Sequence, residues 1–228
     1  MSRSNWLPVG AVVLIVNALQ WVIAEGVTAA AWSDPPYSYA RNYISDLGVP
    51  DCRTKFQGRE ICSPSHALMN TSFALQGILF AAGVLLLALP LVEGRIRRVV
   101  TSLAVAHGVG FVMVGLFHGS ANGAKYSLVL HVVGAGIGIL CANTLAIMAG
   151  ASRSLGLRLG LPKPYRVFSV TVGALGLLSE FFVSVSTSTA GVFERGGVYS
   201  WLLWSAVTGG LVLAGRLRRA EMMENVLA

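Results

Sequence analysis

Hydrophobic residues gather along this chain into six long runs, near residues 7–30, 67–91, 99–117, 127–149, 167–189 and 198–215, separated by shorter polar segments. None of the runs alternates apolar and polar positions with a period of two, the pattern that barrel strands require. A helix rises about 1.5 Å per residue and needs about 20 residues to cross roughly 30 Å of hydrocarbon. Most of the runs meet that length, and the last is shorter. Backbone groups in lipid must find their partners within the segment, so the pattern predicts helices. The expectation is an all-α membrane protein, a single bundle of six transmembrane helices over residues 1–228. No linker rich in Pro, Gly or Ser divides it. The first run is too long for the core of a cleaved signal peptide and is expected to stay as the first helix.

Composition agrees with that reading. Hydrophobic residues make up 54% of the 228 positions and charged ones 12%, and the mean hydropathy is +0.67. A soluble fold of this size would be left with too little polar surface. The charges then orient the bundle. Arg3, the group Arg95, Arg97 and Arg98, the group Arg153, Arg158, Lys163 and Arg166, and the group Arg216, Arg218 and Arg219 fall on one side. The other side carries Lys125, Arg195 and four basic residues in the first loop (Arg41, Arg53, Lys55 and Arg59), which Asp34, Asp46, Asp51 and Glu60 offset. The positive-inside rule places both termini in the cytoplasm and makes the long first loop, residues 31–65, extracytoplasmic. A net charge of +7 spread along membrane edges points to anionic membrane lipids as partners and away from nucleic acid.

The first loop carries Cys52 and Cys62, and an oxidising compartment permits a disulfide between them; Cys141 sits alone in the fourth run. Its turn residues Asp34, Pro35, Pro36, Gly48, Pro50 and Gly58 predict a compact lid with little regular structure. Ser63 suits the N-cap of the second helix, with Pro64 and His66 in its first turn. Gly134, Gly138 and Ala142 recur every four residues and form a small-residue stripe for close helix packing. Between residues 150 and 166, Leu155, Leu157, Leu159 and Leu161 alternate with arginines, a segment that either rests on the anionic inner leaflet or meets a protein partner.

Under this topology Ser45, Asp46, His66, Asn70, His131, Glu194, Arg195 and Tyr199 all reach the outer face, where they can converge beneath the loop. Three chemistries fit them. Asp46 with Arg195, or Glu194 with a histidine, can pin the loop through ion pairs. The set can instead line a pocket for a lipid headgroup or other amphiphile, with Arg195 on a phosphate and Trp201 and Trp204 flanking the interface. Or His66, His131 and His118 can hold a divalent metal with Asp46 or Glu194, with Ser45 nearby as a nucleophile. No His-Glu-x-x-His spacing, nucleophile elbow or cofactor motif accompanies the third. The expected role is therefore non-enzymatic, binding a lipid-like or small amphiphilic ligand or serving as an accessory subunit of an envelope complex. A membrane hydrolase or transferase using the outer His and acidic residues, with or without a metal, is the alternative.

A second polar set lies deeper. Counting 1.5 Å per residue from the run ends places Asn17, Gln76, His107 and Glu180 near the bilayer midplane. An ionisable residue there is costly and marks function by default. The spacing predicts a contact between His107 and Glu180, and a polar stripe from Glu180 through Ser184, Thr187 and Ser188 on one helix face. Interhelical hydrogen bonding and proton or ion translocation are both compatible with it.

Four segments carry a resemblance. They are Tyr37-Ser38 with Ile44-Ser45-Asp46-Leu47-Gly48; Ser63-Pro64-Ser65-His66 through Asn70 to Phe73; His131-Val132-Val133-Gly134-Ala135; and Gly191-Val192-Phe193-Glu194-Arg195 with Val198-Tyr199 and Trp204. In that order the chain resembles the bacterial six-helix membrane proteins called domain of unknown function 998. The resemblance implies a six-helix fold in the bacterial cytoplasmic (inner) membrane and no particular activity. It also marks a departure, since members often have Pro and an acidic residue where this chain has His118-Gly119.

Overall fold

A helix in a bilayer needs an apolar surface all round, yet only the face with small or interlocking side chains can pack on a neighbour. The first helix shows this division. Gly10, Leu14, Asn17, Ala18, Trp21, Ala24, Glu25 and Thr28 recur at helical spacing on its buried face, while Val12, Val16, Leu19 and Ile23 point outward. The computed structural model describes residues 6–158, 160–183, 185–186 and 188–217. Its helices are α1 (Trp6–Ala30), α2 (His66–Ala88), α3 (Gly94–Leu116), α4 (Lys125–Ala151), the short α5 (Arg153–Arg158), α6 (Lys163–Val183) and α7 (Ala190–Leu213). All but α5 are long and apolar enough to cross a membrane. The molecule is a multi-pass membrane protein.

The six long helices close into a ring: each packs on its neighbours in sequence, α4 on α6 across α5, and α7 returns to α1. A ring of six leaves a centre to fill, and aromatic residues fill it. The rings of Trp21, Phe80, Phe111 and His107 lie 5.9, 5.6, 5.6 and 5.1 Å from the ring of Trp201, mostly edge to face, the arrangement that aromatic quadrupoles favour. Trp201 is fully buried, and Trp204, buried beside it, donates to Ser169 Oγ at 3.2 Å. The expectation that these two tryptophans flank the interface is thereby overturned; they are needed where no aliphatic side chain spans the gap.

Glycines set the closest approach. A Cβ at Gly110 would lie 2.5 Å from the carbonyl oxygen of Gly134, and one at Gly134 2.6 Å from that of Gly110, so α3 and α4 touch backbone to backbone. Gly138 receives the ring of Phe111 one turn further on, and Ala142 is fully buried. The small-residue stripe is a packing surface.

Several helix boundaries differ from expectation, and α3 begins at Gly94 rather than near 99. The sixth spanning helix begins at Ala190 rather than near 198, because Glu194 and Arg195 interrupt the apolar run but are turned inward on partners. The fifth runs from Lys163 to Val183 rather than 167 to 189. The expected polar stripe from Glu180 does not carry on to Ser188 along one helix face: α6 ends at Val183, and Ser188 is exposed in the connection to α7. Ser184, Thr187, Leu159, Arg3, Arg218 and Arg219 lie outside the described residues, as do the side chains of Leu157 and Arg158.

Residues 31–65 are more ordered than a featureless lid. Strands β1 (Cys52–Phe56) and β2 (Arg59–Cys62) form an antiparallel hairpin whose base the Cys52–Cys62 disulfide closes. Its two-residue turn, Gln57 and Gly58, has φ of 48° and 79°, the doubly positive conformation that suits the twist of a tight hairpin. A 3-10 turn at Ser45–Gly48 precedes it, and Ile44, Leu47, Val49 and Ile61 are buried, so the segment plugs one end of the ring. At the opposite end Arg166 Nε donates to the Gly150 carbonyl at 2.9 Å. There Leu155 and Leu161 border a small apolar cavity of about 150 Å³ between the helix ends, and for Leu155 the expected placement on a leaflet surface gives way to burial in the bundle.

Candidate functional site

The plug is held by polar side chains for which the sequence leaves loop pinning and ligand binding both open. Arg195, one turn into α7, is 8% exposed. Its Nε donates to Glu25 Oε1 at 2.9 Å, and its Nη1 reaches the carbonyls of Tyr39, Asn42 and Gly191 at 2.8, 3.1 and 2.9 Å. Its Nη2 donates to the Tyr37 hydroxyl, which in turn donates to the Tyr43 carbonyl at 2.8 Å. This guanidinium is committed to the protein, which corrects the expectation of a phosphate on Arg195 and of an Asp46–Arg195 pair. Glu25 accepts three donors, since Trp21 Nε1 and Tyr199 OH also reach its Oε2, at 3.2 and 3.0 Å. Glu25 was missed from sequence, although a single carboxylate near the end of the first apolar run was the signal.

Asp46 pairs instead with Arg59 in a two-pronged bridge, Nε to Oδ2 at 2.8 Å and Nη2 to Oδ1 at 2.9 Å. The Tyr43 amide also donates to Asp46 at 3.0 Å. Burial works against the Arg59 charge, but the Asp46 carboxylate outweighs it and holds the guanidinium pKa above its ordinary value. Burial raises the phenols of Tyr43 and, further, of Tyr37, where the neighbouring Arg195 only partly opposes the shift. Asn70 Nδ2 donates to the Gly48 carbonyl at 2.8 Å. Ser63 is not the expected cap: its hydroxyl donates to the Leu47 carbonyl at 2.6 Å, and Ser65 precedes α2 without a side-chain cap bond. His66 turns its Nδ1 to the Ser63 carbonyl at 3.0 Å.

Behind this plug lies a cavity of about 760 Å³. Tyr43, Ser45, Phe56 and Arg59 frame its hairpin side; His131, Ala135, Gly136 and Ile139 of α4, Glu180 of α6 and Glu194 of α7 form one wall; Trp21, Phe73 and Phe111 reach its depth. Of the residues singled out from sequence, Ser45, His131 and Glu194 border it and are joined by Glu180, whereas Asp46, His66, Asn70, Arg195 and Tyr199 stand outside. Glu194 accepts the Ile44 amide, and His131 Nδ1 lies 3.0 Å from the Phe117 carbonyl and 3.2 Å from that of Val114. Glu180 Oε2 is buried with no hydrogen-bond partner among the described residues, and a Cβ at Gly197 would lie 2.8 Å from it.

The expected contact between His107 and Glu180 is absent. His107 Nε2 meets Gln76 Nε2 at 2.9 Å and its Nδ1 meets the Gly138 carbonyl at 2.8 Å, so both ring nitrogens are engaged at the bundle centre. Asn17 is fully buried, its side chain without a hydrogen-bond partner among the described residues. Among the described residues no three His, Cys, Asp or Glu side chains are grouped to hold a metal ion. His66, His118 and His131 each turn Nδ1 to a backbone carbonyl.

The sequence profile of the family described as protein of unknown function (DUF998) matches residues 14–210, from the first buried leucine of α1 to the last turn of α7. The chain belongs to the DUF998 family. No curated protein and no solved structure matches it. Within this DUF998 chain the matched region contains the hairpin, the cavity wall and the Glu25–Arg195 pair alike.

Proposed function

We propose that the protein binds a lipid-like or small amphiphilic molecule in the cavity behind the hairpin, on its own or as an accessory subunit of an envelope complex. The observation that carries this is the cavity itself: about 760 Å³, walled largely by aromatic and aliphatic side chains, with polar groups on the hairpin side and on the wall that α4, α6 and α7 form. Small-molecule sites have this volume, mostly apolar with sparse polar groups that orient the ligand. An amphiphile matches that division better than a sugar or a nucleotide.

The hairpin face is the extracytoplasmic one in this reading. Arg95, Arg97, Arg98, Lys163 and Arg166 belong to the opposite helix ends, as the positive-inside rule requires of the cytoplasmic side. A disulfide in the hairpin fits an oxidising compartment.

Gly136 gives a direct test, because it borders the cavity and a Cβ there meets nothing within 4 Å. Native mass spectrometry of the purified protein is expected to show one retained amphiphile per chain, lost in Gly136→Trp. Equal retention by the variant, or none by the parent, overturns the reading.

A further inference from the structure

The polar wall of the cavity has an unusual balance of donors and acceptors. Two carboxyl groups, Glu180 and Glu194, border it, and neither forms an ion pair among the described residues. Arg59 borders the opposite, hairpin side and spends its Nε and Nη2 on Asp46, and Arg195, outside the lining, is held by Glu25. His131 adds a third acceptor. Its Nδ1 faces the Val114 and Phe117 carbonyls, which only accept, so the ring proton sits on Nδ1 and the neutral ring keeps an acceptor at Nε2. Ser45 on the hairpin side adds a hydroxyl able to play either role. Glu180 Oε2 remains buried and without a hydrogen-bond partner among the described residues, and a buried polar atom without a partner is costly.

An anionic head placed here would meet carboxyl groups where it needs donors. A neutral alcohol would supply one hydrogen. A protonated amine supplies three N–H donors and the positive charge that the wall lacks. The aromatic rings of Trp21, Phe73 and Phe111 deeper in the cavity suit an attached hydrocarbon chain.

Resting on the binding role argued above, we propose that the ligand is an amphiphile with a primary ammonium head, seated between Glu180, Glu194 and His131 with its tail toward Trp21 and Phe111. The head is that of a free long-chain amine or of an amine-bearing lipid.

Three probes of equal chain length test this on the full-length protein in nanodiscs of zwitterionic phosphatidylcholine: octylammonium, octanol and octanoate, followed by calorimetry. Octylammonium is expected to bind with unit stoichiometry at least tenfold tighter than the other two. Glu180→Gln and Glu194→Gln are each expected to weaken it tenfold or more while leaving octanol unchanged; both substitutions keep the side-chain shape, and the new amide oxygen at position 194 can still accept the Ile44 N–H. An unaltered melting temperature confirms folding, and Glu180→Gln suffices if the second variant fails to fold. Octanol or octanoate binding as tightly as octylammonium overturns the amine assignment and leaves the cavity reading intact. Binding of all three that is unaffected by Gly136→Trp overturns the cavity reading itself. Displacement of octylammonium by phosphatidylethanolamine supports a lipid head and displacement only by longer free amines supports a free amphiphile, whereas displacement by phosphatidylglycerol overturns the proposal.

Discussion

Arg195 on α7 and Glu25 on α1, 170 residues apart, form a buried ion pair with Nε to Oε1 at 2.9 Å, and this pair joins the last spanning helix to the first where the ring closes. Removing one partner leaves the other charge buried and alone, which costs about 3–5 kcal/mol. Glu25→Ala and Arg195→Ala are each expected to lower the melting temperature strongly. The double variant Glu25→Leu with Arg195→Met is expected to recover much of the loss, a double-mutant cycle that thermal unfolding in detergent can measure.

Gly191 lies one turn before Arg195, and a Cβ there would strike the Asn42 carbonyl that Arg195 binds. Gly191→Ala is expected to push the plug outward and speed amide exchange across residues 37–48, with little change in the exchange of α3 and α4. Unchanged exchange in the plug would show that the contact carries no such constraint.

The Asp46–Arg59 bridge and the disulfide fasten the hairpin at different points. Asp46→Asn removes a charge from a two-pronged bridge and is expected to cost roughly 1–3 kcal/mol of local order. Reduction, or Cys52→Ser with Cys62→Ser, is expected to loosen β1 and β2 while the spanning helices stay folded. Limited proteolysis between residues 52 and 62 reads both effects, and cleavage no faster than in the parent protein would count against them.

Tyr37 gives a pH dependence with a defined sign. Burial raises its phenol pKa above the ordinary 10.0, so above that pH the folded state holds a proton that the unfolded chain releases. Its contribution is fully present below pH 10 and is lost as pH rises toward the folded value. The melting temperature is expected to fall above about pH 10, and to fall less steeply in Tyr37→Phe once that variant's constant offset is subtracted.

His107 sits with its ring centroid 4.0 Å from Phe80, 4.9 Å from Phe111 and 5.1 Å from Trp201. His107→Ala opens a void at the centre of the ring and strands Gln76; a loss of about 3–5 kcal/mol is expected. Thermal unfolding of the purified variant measures it. Glu180→Gln, which touches none of this group, is expected to leave the melting temperature in place.

Span number and the position of the loop were legible in the sequence because lipid imposes them locally: each helix must satisfy its own backbone and hide no more than one face. The cysteine pair was legible for a similar reason, both residues lying within one short loop. The hairpin was not, since its strands are five and four residues long and its turn signal, Gln57-Gly58, is weak. Charge within an apolar run misled the reading of α7, whose first turns looked like loop because Glu194 and Arg195 are there.

What the sequence alone determined was the solvent this chain lives in, the number of its helices and the set of polar residues near one end. Which of those residues hold the plug and which face a cavity was decided only in three dimensions. The sequence leaves Arg195 open to an ion pair with the loop or to a ligand, and only the fold sets Glu25 of α1 against it; the spacing pairs Glu180 with His107, whereas α6 places it on the cavity wall. The reason is physical: hydropathy is a property of each segment, whereas the partner of a buried charge depends on which helices the closed ring makes neighbours.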